Sequence, residues 1–226
     1  MKRVAVLLIT GLFFFVITAS ASAEEAKIIK LPAPRMDGGM PLMKALKLRQ
    51  STRGNYGPDT PLSMQTISNL LWAAFGVNRE DGKRTAPSAV DWKNIDIYVT
   101  TADGLFLYDA PKHELKVLGR EDVRAVAGQQ DFVKTAPLNL IYVADFAKAT
   151  FPGSDGVAPT AETWSFAGVG AIGQNVYLYC ASEGLACILR AMADGNAIAK
   201  TLNLRPDQKF ILAQTVAHFK EGAAPK

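Results

Sequence analysis

Residues that bind metals or staple small folds are scarce in this sequence. It holds two cysteines and two histidines in 226 residues. Two cysteines cannot build a disulfide scaffold, and two histidines cannot build a zinc site alone. No Ser-His-Asp constellation for nucleophilic catalysis stands out, and no internal repeat is evident. Charge is thin as well, at 20% of residues, and the formal +4 falls to +2 once Lys2 and Arg3 are set aside. So near-balanced a chain asks for neither nucleic acid nor an anionic membrane as partner. What is present is an ordinary apolar fraction of 49%, which excludes disorder and collagen-like repeats. The length allows one or two domains, and one compact domain with its own core is the simpler reading.

The N-terminus reads as an address. Lys2 and Arg3 precede an apolar stretch from Val4 to Ile17, and small residues follow through Ala23. That run is too short for a spanning helix, which needs ~20 apolar residues. Ala21 and Ala23 form an A-x-A site, so residues 1–23 are expected to be a signal peptide cleaved after Ala23. No cysteine for lipidation and no twin-arginine pair accompanies it. The mature chain is therefore expected to be secreted by the general route, into the periplasm in a Gram-negative cell. It would carry an arm over 24–40, broken by Pro32, Pro34, Gly38 and Gly39, and then a single domain over 41–226.

Within that domain Pro41–Leu48 predicts a short helix. Ile67, Leu70, Leu71, Ala74 and Phe75 form a helical stripe that Ser63 caps and Gly76 ends. Strands are expected at 94–101, 138–144, 186–192 and 209–219, with a hairpin pairing 104–109 and 113–118 around Ala110-Pro111-Lys112. Arg120–Gln129, 161–182 and 195–202 read as helices. The sum is an α+β, mixed α/β fold around a four- or five-stranded sheet. Gly168-Val-Gly170-Ala-Ile-Gly173 matches the dinucleotide fingerprint, but no strand precedes it. It reads instead as a bare helix face that another backbone or a flat ligand approaches.

The most informative stretch is Arg49-Gln50-Ser51-Thr52-Arg53. If extended, it turns residues 49, 51 and 53 to one side. Arginine forks fit phosphate oxygens and carbonyls, and serine adds a short donor, so the strip suits a phosphorylated, elongated cofactor, although taken alone it reads first as a solvated surface loop. Elsewhere, Cys180 and Cys187 read as two buried small residues rather than a bridge. His113 is expected to be exposed on its hairpin. Trp164 and Phe166 read as core, with covering one face of a planar ligand as the alternative, and Tyr177 and Tyr179 face opposite sides of their helix.

Four segments, in order, resemble the nitroreductase family of FMN enzymes. They are Arg49–Arg53 with the helix after it; Arg84-Thr-Ala-Pro87-Ser88-Ala89 with the strand at 95–99; Ala171–Leu178 continuing to Glu183-Gly184-Leu185; and Ile211–His218. The likeness spans about 41–219 and is greatest to the thiazoline and oxazoline dehydrogenase branch. Val90-Asp91-Trp92 departs from it, since a glycine-containing turn is common there.

The resemblance implies a central, mixed but largely antiparallel sheet flanked by helices, in a homodimer joined through 161–182. It implies that Arg49, Ser51 and Arg53 hold the FMN phosphate and ribityl chain while Gln50 reaches the polar ring edge. Pro87, Ser88 and Ala89 would line the flavin from the second subunit. Glu183, Gly184 and Leu185 would form the turn beside the ring, with the Gly184 N–H near N5. The implied activity is FMN-dependent oxidoreduction, with NAD(P)H or another donor and a small organic acceptor. The rival reading is a secreted module that kept the fold without redox activity.

Overall fold

The computed structural model describes residues 27–225; the expected signal peptide lies outside them. Seven strands form one sheet: β1 (Ile28–Lys30), β2 (Ile95–Thr101), β3 (Gly104–Asp109), β4 (Glu114–Gly119), β5 (Leu138–Asp145), β6 (Leu185–Arg190) and β7 (Gln208–His218). Their spatial order is β1-β4-β3-β2-β5-β7-β6, and all six pairings are antiparallel. The α+β expectation holds, with more strands than the four or five anticipated. Four α-helices accompany the sheet: α1 (Leu42–Leu48), α2 (Met64–Phe75), α3 (Ala161–Glu183) and α4 (Gly195–Thr201).

Burial explains the layering. All eight residues of β5 are buried. Strand alternation sends Leu138, Leu140, Tyr142 and Ala144 to the face covered by α2 and α3, and Ile141 and Val143 to the face covered by α4. The α2 stripe behaves as its period predicts: Ile67, Leu70, Leu71, Ala74 and Phe75 are buried, and Ser63 Oγ accepts the Thr66 N–H. Within α3, a Cβ on Gly173 would lie 3.0 Å from Leu189 and 3.4 Å from Gln214, so glycine lets this helix sit close on β6 and β7. The G-x-G-x-x-G match therefore lies inside a helix, not at a strand–helix turn.

Several expectations are corrected. The arm contains β1, which pairs with the outer edge of β4, and it is tied to α2 by Ser68 Oγ–H to the Pro32 carbonyl at 2.6 Å. Of Arg120–Gln129 only Arg124–Ala127 is helical, as one 3-10 turn. There the Asp122 carboxylate captures the Arg124 N–H and guanidinium, competing with regular helix. His113 is half-buried, with both ring nitrogens bonded. Trp164 and Phe166 are exposed rather than core. Cys180 and Cys187 are buried free thiols, as read.

Candidate functional site

The site begins where α1 ends. The Arg49 N–H closes the helix on the Ala45 carbonyl, and the chain then turns extended. The strip runs along the outer edge of β6, where the Thr52 N–H donates to the Cys187 carbonyl at 2.9 Å. That bond covers part of an edge that would otherwise expose unpaired backbone groups. It also sets the parity of the strip: Thr52 is buried while Ser51 and Arg53 face solvent. Beyond it, the Tyr56 hydroxyl donates to the Thr52 carbonyl, and the Tyr56 ring stacks on Phe132 at 4.5 Å. Burial drives the Tyr56 pKa well up, so this donor keeps its proton. Gly57 N–H to His218 O at 2.8 Å and Lys220 N–H to Asn55 O at 2.7 Å pin the strip to the end of β7.

The other wall is the end of α3. Gly184 takes a left-handed conformation, φ +67°, that stops the helix and starts β6. Its N–H donates to the Cys180 carbonyl, so Gly184 caps the helix. The Cys187 carbonyl and the Leu189 N–H both face the outer edge of β6. Leu185 shares their parity, so its N–H turns to that same edge.

Between these walls lies a cavity of about 320 Å³ lined by Gln50, Tyr177, Glu183, Gly184, Leu185 and Phe219, among others. A second, of about 290 Å³, adjoins it along Gln50, Ser51, Arg53 and Phe219. Their combined size suits a cofactor-sized ligand. Both cysteines line the larger cavity. Burial and the neighbouring Cys187 push the Cys180 thiol well above its usual pKa, and Cys187 Sγ accepts from Gln214 at 3.0 Å. Cys180 is a packed thiol, not a thiolate.

The structure thus brings Gln50, Ser51, Arg53, Glu183, Gly184 and Leu185 around two joined cavities, with Arg49 beside them. Pro87, Ser88 and Ala89 line neither cavity within this chain. They open a short 3-10 turn, with Ser88 Oγ accepting the Lys93 N–H. Sequence reasoning missed Met40, Phe219 and the part played by Tyr177. Met40 arrives through the arm, its N–H donating to Ser182 Oγ at 2.8 Å. Tyr177 meets Ser51 across 126 residues of chain, a contact that no local pattern announces.

Comparison with known proteins decides what this arrangement belongs to. The nitroreductase family model matches residues 46–218. The chain belongs to the nitroreductase family. Members of that family are generally FMN-dependent oxidoreductases. A nitroreductase-named protein of Methanocaldococcus jannaschii is 30% identical over 156 residues, covering 65% of this chain and 77% of that one. A solved nitroreductase-named structure from Ralstonia eutropha is 41% identical, with a TM-score of 0.77, covering 85% of this chain and 89% of that one. Two further structures share the fold. One is the Escherichia coli microcin synthetase complex, at 19% identity and TM-score 0.63, covering 94% of this chain and 77% of that one. The other is a nitroreductase-named protein of Desulfovibrio desulfuricans in complex with FMN, at 18% identity and TM-score 0.56, covering 84% and 92%.

The residues of this chain fit the family's cofactor. Among the described residues, no carboxylate pairs with Arg49 or Arg53, so both guanidinium forks are open to a phosphate. Thr52 Oγ1 is buried beside them without a hydrogen-bond partner.

Proposed function

We propose that this nitroreductase-family chain binds FMN along the Arg49–Arg53 strip and acts as an oxidoreductase on a small organic molecule. One observation carries the reading. Arg53, with no carboxylate partner, lines the smaller of two adjoining cavities, the larger of which is walled by the Glu183-Gly184-Leu185 turn, and the equally unpaired Arg49 stands beside them over the Tyr177 ring. Arg49 and Arg53 would bind the phosphate, Ser51 would donate to a phosphate or ribityl oxygen, and Gln50 would reach the polar ring edge. Leu185 and Phe219 would keep water from the ring, and the Leu185 N–H supplies a backbone donor at the cavity edge.

Bound FMN would supply hydride chemistry at N5, while the protein contributes position and electrostatics. No side chain is assigned as general acid or base. The donor would be NAD(P)H or another reductant. Pro87, Ser88 and Ala89 would reach the flavin from the second subunit of a homodimer, which accounts for their distance from this chain's own cavities. Export through the N-terminal signal peptide would place the enzyme outside the cytoplasm.

Absorbance is the test. The purified protein, or protein incubated with FMN and desalted, should carry the flavin bands. A colourless protein after that treatment overturns the reading.

A further inference from the structure

We propose that Tyr177 is a positioning residue for the cofactor strip, orienting the Ser51 proton toward the bound ligand. The inference rests on the FMN reading above. Three bonded groups carry it. The Leu189 N–H donates to the Tyr177 hydroxyl at 2.7 Å. The same hydroxyl lies 2.9 Å from Ser51 Oγ. Ser51 is exposed on the side facing the smaller cavity.

The direction of the chain follows from donor counting. A backbone amide only donates, so the Tyr177 oxygen accepts from Leu189. Its one proton is then left for Ser51. Were Ser51 the donor instead, the Tyr177 proton would lack this acceptor in a residue only 8% exposed. Leaving a buried donor unpaired is costly. Tyr177 therefore donates, Ser51 accepts, and the Ser51 proton points away from the protein as a donor for a phosphate or ribityl oxygen. A chain of hydrogen bonds also polarises each member.

The ring does a second job. The Arg49 guanidinium carbon sits 5.2 Å from its centroid, which holds the cation by its face. That contact leaves the Arg49 N–H forks unspent. One helical tyrosine thus prepares two members of the strip, and it is the β6 backbone that sets its polarity.

Tyr177→Phe keeps the ring and removes the hydroxyl. FMN affinity, read by flavin fluorescence titration, should fall about tenfold. In a Ser51→Ala background the same change should cost less than about twofold, because the acceptor is already gone. Equal losses in both backgrounds overturn the relay. If the unsubstituted protein binds no FMN, the cofactor reading falls and takes the relay with it. If it binds and the cycle is additive, only the relay falls. Should Tyr177→Phe not fold, the Leu189 amide resonance replaces it. It should shift when FMN is added to the unsubstituted protein and not to Ser51→Ala, and equal shifts in both overturn the proposal.

Discussion

Ser68 Oγ lies 2.7 Å from His113 Nε2 and spends its own proton on the Pro32 carbonyl. The serine oxygen is therefore the acceptor, and Nε2 carries the imidazole proton. Nδ1 is left to accept from the Tyr108 hydroxyl, 3.0 Å away. Tyr108, His113, Ser68 and Pro32 form one directed chain that holds the arm to α2 and to the β3–β4 hairpin. The chain favours the neutral ring, since a proton on Nδ1 would oblige the Tyr108 hydroxyl to accept and would cost its proton this partner.

That chain makes stability pH-dependent. Burial pushes the His113 pKa below its usual 6.5. The unfolded chain then binds the proton more readily than the folded one. The contribution of His113 is present above pH 6.5 and drains away as pH falls toward the depressed folded value. Urea midpoints measured from about pH 8 down to about pH 5 should fall for the unsubstituted protein. His113→Asn, which tolerates the φ of +50° found there, should start lower and fall less steeply. Parallel slopes would remove His113 from the account.

The departure after Pro87-Ser88-Ala89 leaves a mark in the backbone. Val90 and Asp91 stand at φ +48° and +58°, where glycine would be at ease. A β-branched residue in the left-handed region costs roughly 1–2 kcal/mol. Val90 is 54% exposed, so little burial is lost by trimming it. Val90→Gly is expected to stabilise the protein by about 1 kcal/mol in urea titration, after the entropic cost of glycine. A loss of stability would mean that the turn is not strained.

What the sequence displayed and what it hid divide along range. The α2 stripe and the continuous apolar run of β5 are local periodicities, and both were read with their boundaries nearly right. The strip by itself suits a solvated loop as well as a ligand, and only its order and spacing with the three later segments gave it a cofactor reading. β1 was not legible, being three residues long and ordered by pairing with β4 more than eighty residues away. The Arg120–Gln129 helix failed because Asp122 satisfied Arg124 before the helix could extend. The Tyr177–Ser51 contact depends on how close α3 lies to β6, and Gly173 permits that closeness only in three dimensions.

Two glycines of α3 separate folding from association. A Cβ at Gly170 meets nothing within 4 Å, whereas at Gly173 it meets Leu189 at 3.0 Å. In an isolated chain Gly170→Ala should stabilise by up to ~1 kcal/mol through helix propensity, and Gly173→Ala should lose stability by lifting α3 from the sheet. If α3 packs closely on a second copy, Gly170→Ala should instead weaken the dimer. Sedimentation velocity over a dilution series, beside urea titration, reads both effects. A dimer unchanged by Gly170→Ala places the interface elsewhere.

The basic strip gives the sharpest contrast between ligand and fold. Arg49→Ala and Arg53→Ala each remove a charge-assisted contact, worth ~1.5–3 kcal/mol if the phosphate is clasped. FMN affinity should fall roughly ten- to hundredfold for either. Riboflavin lacks the phosphate, so its weaker binding should barely change. Arg→Lys at either position should also bind poorly, since a point charge does not reproduce the planar fork. Arg79 serves as the basic control: it is exposed and donates to the Arg84 carbonyl away from both cavities, so Arg79→Ala should leave both flavins alone. Arg49 carries an extra expectation, because its stack on Tyr177 would be lost with its charge. Its loss should therefore exceed that of Arg53, which projects into solvent. Titration of each variant with both flavins decides the matter. Equal losses for FMN and riboflavin would mean that the arginines act through the shape of the strip and not through phosphate.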